Sequence, residues 1–282
     1  MTPIVITKSE AKLRGQIWEW RGSGETIAFV PTMGALHAGH ISLIAKAKKY
    51  ATKIVASIYV NETQFAKGED LDTYPRDHAK DCAMLEAAGC DLVYIPRTMY
   101  GSHHSTTISV GGPALGLETN HRAHFFGGVA LIVTKLFNRV QPDIAIFGEK
   151  DYQQLLTIRR LSADLDMPVR IIGAPILREA DGLAMSSRNR YFDEIGRKIA
   201  GQLNIIMTQC AKDIAKGADI KTATTKATHN IQKAGFDSVD YVAVAHAQSL
   251  DLLSGKLGNR PARLLIAAHC KGVRLIDNCA IG

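Results

Sequence analysis

The chain has 282 residues, 46% of them hydrophobic and 22% charged, a composition that excludes a disordered chain and leaves room for one large or two unequal domains. Its 34 basic and 27 acidic residues give a net charge of +7. That balance suits an anionic ligand such as a nucleotide. Without a basic track and with apolar runs no longer than one buried strand, it predicts no nucleic-acid partner and no membrane span.

IAFVP at 27–31 predicts a short buried strand, followed by a Thr-Met-Gly turn and a periodic segment through Leu43, Ile44 and Ala47. IVASIYV at 54–60 predicts a second strand, apolar on both faces as a parallel sheet requires. Residues 61–75 are polar and aperiodic and read as a long loop. Residues 77–88 predict a helix with Cys82, Leu85 and Ala88 on one stripe and Gly89 as its stop. DLVYIP at 91–96 reads as a strand, TTISV at 106–110 as a short β excursion, and 111–113 as a Gly-rich turn. From 128 to 140, Val129, Ile132, Val133, Leu136, Phe137 and Val140 recur at the spacing of a buried helical face. IAIFG at 144–148 is a strand, a helix begins near Asp151, and VRIIGAP at 169–175 is a further strand. This alternation predicts an α/β fold, a Rossmann-like doubly wound, mostly parallel sheet. Beyond Asn189 the pattern changes. Residues 193–235 read as helical, and 240–247 and 262–270 as strands separated by turn-rich sequence. The expected division is a domain of 1–175 and a smaller α+β domain of 176–282.

The N-terminal segment has no basic stretch followed by a long apolar one, so no secretory signal is expected. Five cysteines (Cys82, Cys90, Cys210, Cys270 and Cys279) form no CxxC pair. They argue against a thiolate zinc site and point to a reducing, cytoplasmic setting.

The most informative segment is PTMGALHAGH at 31–40. It lies between the first strong strand and a helix start, where free N–H groups favour phosphate. His37 and His40 are three apart and share one face of a first turn, and Gly39 keeps the surface between them bare. Two imidazoles there can donate hydrogen bonds to a departing phosphate, which is electrostatic transition-state stabilisation. Surface histidines and a zinc pair are the competing readings. The zinc pair lacks a Glu between the histidines and an obvious third ligand. No Gly-Lys-Ser/Thr follows the glycines, and no GxGxxG follows the first strand, which argues against a Walker loop and a dehydrogenase.

PTMGALHAGH resembles the HxGH motif of the nucleotidyl-transferase superfamily, and its longer form resembles pantothenate synthetases. VNETQF at 60–65, DLDTYPRD at 70–77, KLFNRVQPD at 135–143, FGEKDYQQL at 147–155 and READGLAMSSRNR at 178–190 follow in that family's order. DYVAVAHAQSL at 240–250 matches more loosely. The resemblance implies an AMP-forming ligase. Pantoate and ATP would give pantoyl adenylate and pyrophosphate, and β-alanine would then attack, giving pantothenate and AMP. It further implies magnesium, a cytoplasmic homodimer, and a C-terminal domain closing over the site.

Carried over by motif, the resemblance implies that His37, His40, Lys150 and Arg188 are catalytic. It implies ATP binding by Met33, His37, His40, Gly148, Lys150, Asp151, Ser186, Ser187 and Arg188, and pantoate binding by Met33, Asn61, Gln64 and Gln154. Without it, Asp151 reads as a helix cap, Gln154 as a surface residue, and the amides of Asn61 and Gln64 as loop caps. Two departures stand out. Glu62 takes a position usually occupied by proline, and Phe125 stands where the family has histidine, with His124 one place earlier. Arg122 and His124 are expected on the β-alanine side. No GxSxG elbow or reactive-cysteine motif argues for a covalent nucleophile. Two other readings stay open: another small-molecule nucleotidyl-transferase, and a non-catalytic nucleotide- or RNA-binding protein.

Overall fold

A computed structural model describes residues 3–65 and 68–282. Its first unit runs β1 (Val5–Thr7), α1 (Glu10–Gly22), β2 (Ile27–Thr32), α2 (Ala38–Ala47), β3 (Lys53–Ile58), α3 (His78–Ala87), β4 (Leu92–Tyr94), α4 (Glu118–His121), α5 (Phe125–Val140), β5 (Ile144–Gly148), α6 (Tyr152–Asp164) and β6 (Arg170–Ala174). The second comprises α7 (Glu194–Ala215), α8 (Ile220–Lys233), β7 (Ser238–His246), β8 (Ala262–Cys270) and β9 (Val273–Ile281).

The first six strands form one parallel sheet in the order β1-β4-β3-β2-β5-β6. From β2 the chain winds outward through β3 to β4. It then returns to β5 on the other side of β2 and winds out to β6. The switch point thus lies between β2 and β5, where open α/β sheets bind ligands beyond the carboxyl ends of their strands. One face of the sheet packs on α1 and α5 through Phe29, Val55, Ile132 and Phe137, the other on α2 and α3 through Val30, Ile54, Ile44 and Leu85. All six apolar positions expected on α5 are buried, each contributing about 1.5–3 kcal/mol. Gln141 ends that helix in a left-handed conformation just before Pro142.

The second unit packs α7 and α8 on an antiparallel sheet, β7-β8-β9, around its own core of Leu203, Met207, Ile231 and Ile266. A smaller apolar cluster of Leu117, Leu156, Leu250 and Leu265 joins the units. The fold class matches the expectation. Four elements lie outside it: β1, α1, α4 and β9 carry no clear signal in the sequence. Residues 106–110 form no strand, because no neighbouring strand pairs with this β-branched run.

Gly128, in the first turn of α5, shows how tightly the loop after β3 is seated. A Cβ there would lie 2.3 Å from the Thr63 carbonyl oxygen, and the Gly128 carbonyl accepts a hydrogen bond from Asn61 at 3.2 Å. Gly128→Ala is therefore expected to destabilise the protein by about 1–3 kcal/mol through overpacking against backbone. Urea denaturation measures this, and an unchanged midpoint would refute the contact.

Candidate active site

The loop after β2 turns through left-handed conformations at Gly34 (φ 83°) and Ala35 (φ 51°). Asp81, on α3 and only 2% exposed, holds this turn: its carboxylate accepts from the N–H groups of Ala35 at 2.9 Å and Leu36 at 2.8 Å. The chain then enters α2 with His37 as N-cap. His37 Nδ1 accepts from Gly39 N at 3.1 Å, and His40 Nδ1 accepts from His37 N at 3.3 Å. This reciprocal cap satisfies two helix-start donors with imidazoles in place of the usual hydroxyl and carboxylate. A Cβ at position 39 would come within 2.7 Å of the His37 ring, so a side chain there would push that ring from its capping position. The ring centroids lie 4.1 Å apart.

An Nδ1 that accepts a hydrogen bond carries no proton, so each neutral imidazole bears its proton on Nε2. Burial, then the nearby charges of Lys150 and Arg190, lowers the His37 pKa to about 4 despite the opposing pull of Asp151. Burial, then His37 and Lys150, lowers that of His40 to about 3. Both are therefore neutral donors at physiological pH.

Lys150 lies in a one-turn 3-10 helix, Glu149–Asp151, directly after β5 and thus beside the histidine loop at the switch point. Asp151 is the N-cap position of α6 but makes no side-chain cap, so its carboxylate is not engaged as the capping reading required. The two glutamines that follow divide their roles. Gln153 is buried, donating to the carbonyls of Pro113, Leu115 and Gly116 and accepting from Glu118 N. Gln154 lines the cleft.

That cleft, about 960 Å³, opens between the units and brings together Met33, His37, His40, Gln64, Gly148, Lys150, Asp151, Gln154, Ser186, Ser187, Arg188 and Arg122. Arg188 is held there by Asp70 through a two-pronged pair at 2.7 and 3.0 Å. Burial pushes the Asp70 carboxyl up, but the hydrogen bonds and charge of Arg188 outweigh it, and the net direction is down. Arg122 is matched likewise by Glu69 at 2.8 Å to each oxygen, and its guanidinium stacks 4.0 Å over the Phe125 ring.

Two expected residues are not among the cleft lining. Asn61 is 1% exposed, and its amide is engaged internally: it donates to Gln64 and Gly128 and accepts from Thr63 and Tyr100. It orients Gln64 from behind. His124 is exposed at the start of α5, and Phe125 takes the cleft side beneath Arg122. The structure thus places His124 outside the cleft lining. Glu62 accepts from the Tyr59 hydroxyl at 3.0 Å, which ties down the loop that lacks a proline. Asp81, Asp70 and Glu69 were missed. The first carried a faint signal, a carboxylate beside the apolar stripe of a helix.

The match to a family model described as pantoate-beta-alanine ligase spans residues 5–280. The chain belongs to the pantoate-beta-alanine ligase family. The chain is 46% identical to a pantothenate synthetase of Caulobacter vibrioides over the full length of both. To one of Mesorhizobium japonicum it is 49% identical, covering 97% of this chain and 96% of the relative. A crystal structure of pantothenate synthetase from Thermus thermophilus superposes with a TM-score of 0.91 at 38% identity, covering 99% of each chain. One from Francisella tularensis, complexed with beta-gamma ATP and beta-alanine, superposes at 0.81 with 31% identity, covering 98% and 97%. The chain is a ligase of this family, as the histidine loop and the ordered motifs implied.

The neutral histidines have a consequence for pH. Their folded-state values lie below the ordinary 6.5, so as pH falls through that value the unfolded chain binds protons that the native chain refuses. The stability they contribute is fully present above about 6.5 and is lost as pH falls towards 4 and 3. In the ligand-free protein, nitrogen NMR at about pH 5.5, where a free histidine is mostly cationic, should find both imidazoles in the neutral Nε2–H form. A cationic His37 or His40 there would contradict the capping geometry.

Proposed function

We propose that the chain condenses pantoate with β-alanine at the cost of ATP, through an enzyme-bound pantoyl adenylate. A pantoate carboxylate oxygen attacks the α-phosphorus, the bond to the bridging oxygen breaks, and pyrophosphate leaves with the electron pair. The neutral amine of β-alanine then attacks the acyl carbon, the acyl C–O bond to the phosphate breaks and AMP departs with its electron pair, and the nitrogen gives one proton to solvent and keeps one as the amide N–H. The observation that carries this reading is one cleft lined by two kinds of chemistry. The start of α2, two neutral imidazole donors, Lys150 and Arg188 suit phosphate. The uncharged amides of Gln64 and Gln154 line the same cleft and recognise hydroxyl and carboxylate oxygens without adding charge.

In this reading the Nε2–H groups of His37 and His40 donate to phosphate oxygens as charge moves onto pyrophosphate, and Lys150 offsets the charge at the α-phosphate. Ser186, Ser187 and Arg188 clamp the nucleotide, with Arg188 exchanging Asp70 for phosphate. Gln64, braced by Asn61, and Gln154 hold pantoate, alongside the Met33 backbone. Arg122 faces β-alanine. Asp151 fits a magnesium ion, since its carboxylate lines the cleft without capping α6, and magnesium commonly takes one carboxylate plus phosphate oxygens. When bound, that ion would neutralise phosphate charge. Closure of the second unit would exclude water from the hydrolysable adenylate. All five cysteines are free thiols, which suits the cytoplasm. A homodimer belongs to the same reading through the family likeness alone.

The test separates the half-reactions. With pantoate and magnesium but no β-alanine, the enzyme should exchange labelled pyrophosphate into ATP, and exchange should stop without pantoate. His37→Ala and His40→Ala should slow it by about 10²-fold or more. Given synthetic pantoyl adenylate and β-alanine, both variants should form pantothenate at near-normal rates, because pyrophosphate has already left. Equal loss in both assays would assign the histidines to pocket architecture. A wild-type enzyme that makes pantothenate without pantoate-dependent exchange would overturn the adenylate step.

A further inference from the structure

Lys150 is carried by a single 3-10 turn, Glu149–Asp151, at the end of β5. The turn joins β5 directly to α6, and a long lysine side chain amplifies at its ammonium any error in the placement of this short link. The support comes from the second unit. Asn278, on β9 and 3% exposed, donates one amide hydrogen to the carbonyl of Glu149 and the other to that of Lys150, each at 2.9 Å. Its Oδ1 accepts from Arg263 Nε at 2.5 Å. Arg263, on β8, also reaches the Glu149 carboxylate at 3.1 Å, and its guanidinium lies 3.8 Å from the Tyr152 ring centroid.

None of this is needed to build β9. Asn278 pairs with Leu265 through the backbone ladder, and its side-chain amide plays no part in that pairing. Burying a primary amide is costly unless its donors are matched. Here both donors are directed at consecutive carbonyls of the turn that carries the phosphate-facing lysine. The residue before it acts on the other side of the cleft. Asp277 takes a two-pronged bond from Arg178 at 2.7 and 3.0 Å. Arg178 begins the hairpin that leads into Ser186–Arg188, donating to the Gly182 carbonyl at 3.0 Å.

We propose that Asn278, oriented by Arg263, is a positioning residue for Lys150: the second unit sets the lysine's location through two hydrogen bonds to its turn. The inference rests on the assignment of Lys150 to the phosphates. Asn278→Asp keeps the shape but replaces two donors with an oxygen facing carbonyl oxygens. Misplacement by about 1 Å costs on the order of 10²-fold, so N278D should lower kcat by roughly 10–10²-fold while leaving the KM values for pantoate and β-alanine within about two-fold.

The decisive measurement is a double-mutant cycle with Lys150→Met, itself expected to lower kcat by about 10²–10³-fold. If Asn278 acts through Lys150, adding N278D to K150M should cost less than about two-fold more. A folded N278D with wild-type kcat, or losses that multiply in the double variant, would overturn the proposal. Should N278D fail to fold by circular dichroism, Asn278→Ala removes the amide without inserting a charge and carries the same comparison. Failure of the underlying assignment looks different: K150M would itself retain wild-type kcat.

Discussion

Parallel strands leave their carboxyl ends on one side of a sheet, and where β2 and β5 lie together their onward chains depart in opposite directions. That divergence opens the space the rest of the molecule is arranged around. The loop leaving β2 delivers the start of α2, and the turn leaving β5 delivers Lys150. Neither segment is rigid alone. Asp81 reaches from α3 to hold the first, and Asn278 from β9 to hold the second. The sheet selects where chemistry occurs, and buried polar side chains on neighbouring elements set its geometry.

The histidine pair illustrates how local structure determines electronic state. Because each Nδ1 takes a backbone N–H, the ring orientation and the tautomer are set by helix capping before any ligand arrives. Burial then keeps both rings neutral. A donor that needs no reorganisation stabilises developing charge more effectively than one that must turn or protonate during the reaction. One short motif therefore supplies a cap, a tautomer and two outward donors.

The sequence was legible where a residue's environment follows from its neighbours in the chain. Strands β2, β3 and β5 are apolar on both faces, and α5 keeps an uninterrupted buried stripe. The segments that follow them bear His37 and His40, then Asn61 and Gln64, then Lys150, Asp151 and Gln154. Legibility failed where the partner is remote. Helix α1 buries only Leu13 and Ile17 and shows little periodicity. Strand β9 hides Asp277 and Asn278 in its interior, so its alternation looks broken. The bonds of Asp81 and Asp70 to the site span 46 and 118 residues, and no local pattern announces them. His124 lies outside the cleft for a different reason: the chain direction at the start of α5 turns Phe125 inward, and adjacency in sequence says nothing about which of two neighbours faces a cleft.

Glu69 and Asp70 sit side by side on one loop, each closed onto an arginine that faces the cleft. These two arginines therefore face the cleft as matched ion pairs, while Lys150 and Arg190, close enough to lower the His37 pKa, add positive charge beside them. A field made of matched dipoles decays faster with distance than one made of bare charges, and salt at physiological strength screens what remains beyond about 8 Å. Under the reading proposed above, a triphosphate would gain Arg188 only by displacing Asp70, so its capture would include the exchange of one ion pair for another at contact.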